Sequence, residues 1–150
     1  MYILAPNETA ETYPYSIGQL RKDNPQTSFP RSPNNALLAE WNVYPVTPTS
    51  RPTTDHTQNV AEALPQQIDG VWTQVWRVTD ASAGEIAERT NAQAANIRSE
   101  RNERLAACDW TQLADAPVDS LGWANYRQAL RDVTAQAGFP WSVSWPVPPV

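Results

Sequence analysis

The stretch that decides the fold runs from Ser99 to Val147, SERNERLAACDWTQLADAPVDSLGWANYRQALRDVTAQAGFPWSVSWPV. A polar helical run leads into Asp109-Trp110-Thr111-Gln112-Leu113. A loop carrying Asp115, Pro117 and Asp119 follows. Asp119 or Ser120 is then placed to cap a second helix, predicted over about 120–136, with Gly138 as its C-terminal signal. Within it Trp123, Tyr126, Leu130 and Val133 are spaced to form one apolar stripe. In the tail, Trp141, Val143 and Trp145 alternate with Ser142 and Ser144, the period of a short strand. Pro146, Pro148 and Pro149 then stop any pairing and favour polyproline geometry. Four of the seven tryptophans lie in this stretch, which makes it a segment for packing or docking.

Upstream, Ser82-Ala83-Gly84-Glu85 fits a capping box, in which the Ser82 side chain accepts a backbone N–H and Glu85 reaches back. The helix it opens is predicted over about 82–108, a rod of roughly 40 Å at the usual rise per residue. Ile86, Thr90, Ala94, Ile97, Arg101, Leu105 and Cys108 recur at helical spacing and form its buried stripe. The stripe is thin in large hydrocarbons. The i,i+4 pairs Glu85–Arg89 and Glu100–Arg104 contribute only about 0.3–0.5 kcal/mol each. Such a helix must pack on a partner or self-associate, and the small residues Ala92, Ala94 and Ala95 allow close approach of a second copy.

Before the helix, Gln58 to Leu64 and Val71 to Val78 read as strands of a hairpin spanning 58–78, with Asp69-Gly70 as its turn dipeptide. Trp72, Gln74, Trp76 and Val78 share one face of the second strand and Val71, Thr73, Val75 and Arg77 the other. Apolar residues on both faces predict a central strand of a small sheet. Further upstream, Tyr2-Ile3-Leu4 and Val43-Tyr44-Pro45-Val46 read as extended, and Thr12 to Leu20 as an edge strand followed by one turn. Asn34 to Trp41 reads as a short helix. The whole is α+β. A small β-rich domain covers 1–80, a connecting helix 81–108 and a C-terminal docking module 109–150.

Fourteen prolines against five glycines point to a modest core and much ordered irregular chain. The net charge of −5 disfavours nucleic acid. Arginines between Arg89 and Arg131 interleave with Glu85, Glu88, Glu100, Glu103 and Asp132 instead of forming a basic face. Ten arginines against one lysine suit bidentate contacts between proteins. The opening MYILAPNETAE has no basic region and is not expected to act as a signal peptide. No apolar run reaches membrane-spanning length.

Catalytic chemistry is not expected. His56 follows Asp55, but no nucleophile motif accompanies the pair, and a loop dipeptide explains it. Cys108, the only cysteine, forms no intrachain disulfide and sits at a helix C-terminus, where the dipole opposes a thiolate. Asp109, Asp115 and Asp119 are spaced wrongly for a calcium loop, so turn and cap roles explain them better. No cofactor site and no metal site is expected. The tryptophans leave three readings open: a filled core, a docking surface for a protein partner, or a stacking surface for sugars.

The words RNERLAACDWTQL, the Asp-Pro loop, WANYRQALRDV and GFPWSVSWP occur in the order found in the C-terminal module of bacteriophage tail assembly chaperone proteins, which the segment 99–147 resembles. Tyr13-Pro14-Tyr15-Ser16-Ile17-Gly18-Gln19-Leu20-Arg21 and Asn42-Val43-Tyr44-Pro45-Val46 are similar to N-terminal halves of such phage proteins. The resemblance implies a non-enzymatic tail protein, in the virion tail or the infected host cytoplasm, that engages a tail fibre or baseplate component. Trp110, Leu113, Trp123, Tyr126, Arg127, Trp141 and Trp145 are the expected residues that build or present its partner-binding face. The alternatives are a permanent virion subunit of fibre, collar or baseplate, and a carbohydrate-binding receptor module.

Overall fold

Three short strands make the first sheet of the computed structural model, which describes residues 1–149. β1 (Tyr2–Leu4) lies between β2 (Thr12–Tyr15) and β3 (Val43–Pro45) and is antiparallel to both. Successive side chains of a strand point to opposite faces. On one face Ile3 packs with Ala5, Val46 and Trp72, while Tyr2 and Leu4 pack against a second cluster of Tyr15, Leu20, Leu38 and Val43. Two helices follow the same local rules. α1 (Ile17–Asp23) is capped by Ser16, whose hydroxyl accepts the Gln19 N–H at 3.0 Å. α2 (Asn35–Glu40) is capped by Asn34, which accepts the Leu37 N–H at 2.9 Å. Their buried members, Leu20 and Leu38, close the second cluster.

The second sheet is a hairpin of β4 (Gln58–Ile68) and β5 (Val71–Asp80). Asp69 and Gly70 both have positive φ, 51° and 77°, as a two-residue type I′ turn requires. The strands are longer than the sequence pattern indicates. β4 runs on through Pro65 because the register slips between Ala63 and Gln66, and this bulge absorbs a residue with no N–H to donate. β5 is also not the central strand its apolar faces suggest, because its ladder is with β4 alone. Its other edge meets an isolated parallel bridge at Thr47, where the Thr47 N–H donates to Trp72 O and Thr47 O accepts from the Gln74 N–H, both at 2.9 Å. Burial of Trp72 on the first cluster accounts for the apolar pattern that a further strand would otherwise explain.

The chain divides into two compact units, Met1–Asp80 and Ala81–Val150. In the second, α3 (Ala83–Ala107) opens with the capping box, the Ser82 N–H donating to Glu85 at 2.8 Å and the Glu85 N–H to Ser82 Oγ at 3.3 Å. Ala94, Ile97 and Cys108 are buried, and Ile86, Thr90, Arg101 and Leu105 are half-buried, so the thin stripe is the covered one. A 3-10 turn over Asp109–Gln112 leads to α4 (Ser120–Asp132), which packs on α3. Asp119 is its cap, accepting the Leu121 N–H at 3.1 Å. Leu130 and Val133 are fully buried. α4 ends at Asp132 and a 3-10 turn, Val133–Ala135, replaces its predicted last turn.

The tail differs from the alternating pattern read from its tryptophans. Residues 137–142 form turns and 143–149 have no strand pairing. The Trp141 and Ser142 N–H groups both donate to Gly138 O, at 2.9 and 2.7 Å. Gly138 therefore begins a tight turn rather than ending a helix. A Cβ there would run into the Ser142 carbonyl, which is why this position takes glycine.

Candidate docking face of the C-terminal unit

Arg127 organises the junction between α3, the 3-10 turn and α4. Its Nη1 donates to Leu105 O at 2.8 Å and to Cys108 Sγ at 3.1 Å, and its Nη2 pairs with Asp109 at 2.8 Å. Leu105 O is among the last carbonyls of α3, so the guanidinium places positive charge at the negative end of that helix. The residue is only 9% exposed, so its contribution is internal: it builds the face rather than presenting it. Cys108 is buried and donates to Leu105 O at 3.2 Å. Thr111, also buried, donates to Cys108 O at 2.7 Å.

Around this anchor the aromatic rings form a connected row. Trp110 and Trp123 lie 6.3 Å apart between centroids, and Trp123 meets Tyr126 edge-on at 5.6 Å. Such tilted contacts are the favoured ones for aromatic pairs. Trp123 and Tyr126 are half-buried, whereas Trp110 is 50% and Leu113 is 63% exposed. The first two hold the row and the last two present it. Leu113 accepts the Ala116 N–H and donates its own to Trp110 O, so the backbone fixes its position although its side chain has little cover.

The tail supplies a second set. Trp145 lies under Arg104, whose guanidinium is 4.4 Å from the ring centroid, and Arg104 in turn pairs with Glu100 at 2.6 Å. Phe139 lies under Arg98 at 5.4 Å. Both are cation–π contacts between tail rings and α3. Gln136 then clasps the tail, its Nε2 donating to Ser144 O and its Oε1 accepting the Ser144 N–H, both at 2.8 Å. Trp141, between these fastenings, is 42% exposed.

Of the seven expected residues, the structure joins Trp110, Trp123 and Tyr126 by ring contacts, sets Leu113 beside Trp110 in sequence, and uses Arg127 as the internal anchor. Trp141 and Trp145 lie on the tail, the first partly exposed and the second stacked under Arg104. Sequence reading missed Arg98, Phe139 and Gln136 as fastenings. The Glu100–Arg104 spacing did point to the ion pair, but spacing carries no sign of Trp145. The remaining candidates have local roles. Asp109 pairs with Arg127 and Asp119 caps α4. Asp55 accepts the N–H and hydroxyl of Thr57, at 2.7 and 2.6 Å, and those bonds hold its carboxyl below the usual pKa. Among the described residues no group of three His, Cys, Asp or Glu is arranged to hold a metal ion. No helix among them is long and apolar enough to cross a membrane.

The unit is thus a helical module with an arginine at its heart and partly exposed rings on its surface. The family described as phage tail assembly chaperone protein matches residues 94–150, from the middle of α3 to the end of the chain. The C-terminal segment is similar to that family over those residues, and the similarity points to phage tail assembly. No curated protein and no solved structure matches the chain.

Proposed function

We propose that this protein assists phage tail assembly by docking its C-terminal module on a tail fibre or baseplate component. The observation that carries the reading is that exposed Trp110, Leu113 and Trp141 all fall inside the matched segment 94–150. Large exposed rings on a rigid support are the usual anchors of protein interfaces. Trp123, Tyr126, Trp145 and Arg127 hold those anchors in place. The test is capture of the phage's own fibre and baseplate proteins by a Trp110→Ala, Leu113→Ala variant. Both positions are exposed, so the variant is expected to keep its helical circular dichroism and lose capture. Undiminished capture by the folded variant overturns the docking role.

A second reading is a permanent subunit of the virion tail. It is favoured by the exposed small residues Ala92 and Ala95 on α3, which leave room for a neighbouring helix, including the same helix of another copy. Mass spectrometry of purified particles separates the readings. Stoichiometric presence in the mature tail means a subunit, and absence means a factor that acts in the host cytoplasm and leaves. The mass of the protein in solution tests self-association through the helix.

A further inference from the structure

The N-terminal unit holds a carboxylate, Glu62, whose hydrogen-bond donors are both neutral. Glu62 lies on β4 and its Oε1 accepts two hydrogen bonds, one from the Tyr13 hydroxyl and one from Gln74 Nε2 at 2.6 Å. Gln74 is itself fixed, since its Oε1 accepts the Thr49 N–H at 3.0 Å. Both donors to Glu62 are neutral. They hold its carboxyl below the usual range, the Tyr13 bond having the largest effect, so it is ionised at neutral pH. Neither the Glu100–Arg104 nor the Asp109–Arg127 pair involves it. Arg77, on the neighbouring strand β5, borders an adjoining hollow that Glu62 also lines but Tyr13 and Pro14 do not.

That carboxylate lines an open hollow of about 250 Å³, with Tyr13, Pro14, Ala63 and Leu64 as its other walls. Pockets for whole small molecules run from roughly 300 to 1,000 Å³, so this one suits a single side chain. Its chemistry selects which. Apolar walls suit a methylene stem, the aromatic wall attracts a cation, and the carboxylate completes a charge-assisted hydrogen bond. We propose that the hollow formed by Tyr13, Pro14, Glu62, Ala63 and Leu64 is a recognition pocket for a basic side chain, Arg or Lys, presented by a partner protein. The proposal is independent of the docking face in the C-terminal unit and stands if that reading fails.

The test is a nuclear magnetic resonance titration of the isotope-labelled full chain with three probes. Nα-acetyl-arginine amide carries stem and charge, Nα-acetyl-norleucine amide the stem alone, and guanidinium chloride the charge alone. The arginine derivative is expected to give saturable shifts at the Ala63 and Leu64 amides and to bind more tightly than either control. Glu62→Gln keeps an acceptor for Tyr13 and Gln74 but removes the charge. It is expected to weaken the arginine derivative about tenfold, the scale of one lost charge-assisted bond. Leu64→Ser, at an exposed position, is expected to weaken the arginine derivative while leaving guanidinium unchanged, and it decides the matter if the Glu62 variant fails to fold. Equal shifts with norleucine, or unaltered arginine binding in either folded variant, overturn the proposal.

Discussion

In the N-terminal unit, Tyr15 is 4% exposed and its hydroxyl donates to Asp23 at 2.6 Å; in the C-terminal unit, Trp110 is 50% and Trp141 is 42% exposed. The first unit covers its rings with short strands and two helices, and pins the phenols of Tyr13 and Tyr15 on carboxylates. The second keeps its fully buried positions for small and aliphatic side chains such as Leu130, Val133 and Thr111, and holds its outer rings by arginines and a glutamine. Rings covered by their own unit stabilise it. Rings braced from one side stabilise less. The contrast lies in the rings: the first unit covers more of its aromatic surface, while its exposed apolar residues include the aliphatic Leu64, Ile68 and Val71 of the hairpin.

The sharpest way to break that contrast is to empty one core at a time. Leu38→Ala and Leu130→Ala each remove a fully buried side chain and are expected to cost about 2–5 kcal/mol. Differential scanning calorimetry with unit-specific circular dichroism bands should find each variant lowering a different transition. A single shared transition moved equally by both would mean that the units do not unfold separately. Next in size is Arg127→Leu, which removes one donor to the Leu105 carbonyl and the guanidinium partner of Cys108 and Asp109. It is expected to cost about 1–3 kcal/mol, read as a lower urea midpoint for the helical signal. Ser82→Ala removes one side of the capping box and is expected to cost about 1 kcal/mol in the same assay. Arg104→Gln removes the stack on Trp145, worth about 0.5–1 kcal/mol at so open a site, and should alter tryptophan emission with the fold retained.

Acid and alkali sharpen the comparison further, because the phenol–carboxylate pins belong to the first unit. Glu62 and Asp23 have folded pKa values below their ordinary ones, chiefly through the Tyr13 and Tyr15 hydrogen bonds. Their contribution is therefore present above the ordinary carboxylate range and lost as pH falls through the depressed values. Tyr13 is pushed up to about 12 by burial and then by Glu62, and Tyr15 is raised by burial and then by Asp23. Their contribution is present below the ordinary phenol value and lost as pH rises through the raised ones. Melting of the first unit should thus weaken at both extremes, and phenolate absorbance should identify the alkaline step. Tyr13→Phe should flatten both limbs. An unchanged profile in that variant would assign the pH dependence elsewhere.

Local signals were the legible ones. The Ser82–Glu85 box, the Asp69-Gly70 turn and the Asn34 cap each lie within a few residues of what they fix, so residue order alone located α3, the hairpin and α2. The stripe of α3 was legible for the same reason, since one period governs all its members. What could not be read depends on distant pairs. Burial of Trp72 against Ile3 gives β5 the pattern of a central strand, although only Thr47 bridges its far edge. The alternation from Trp141 to Trp145 suits a strand, but the Gly138 turn and the Gln136 clasp bend that chain instead. At the candidate site the tryptophans were visible as a set. Which would be presented and which braced depended on where Arg98, Arg104 and Gln136 fell in space.

One of those braces has a consequence for variation. A side-chain amide that both gives to and takes from a single distant residue imitates one rung of a ladder between strands. It closes the nine residues from Gln136 to Ser144 into a non-covalent ring, with Trp141 carried along its arc. A ring fastened at its neck can exchange its crown without disturbing its foundation. Substitutions at the apex are therefore expected to leave the helical base unchanged.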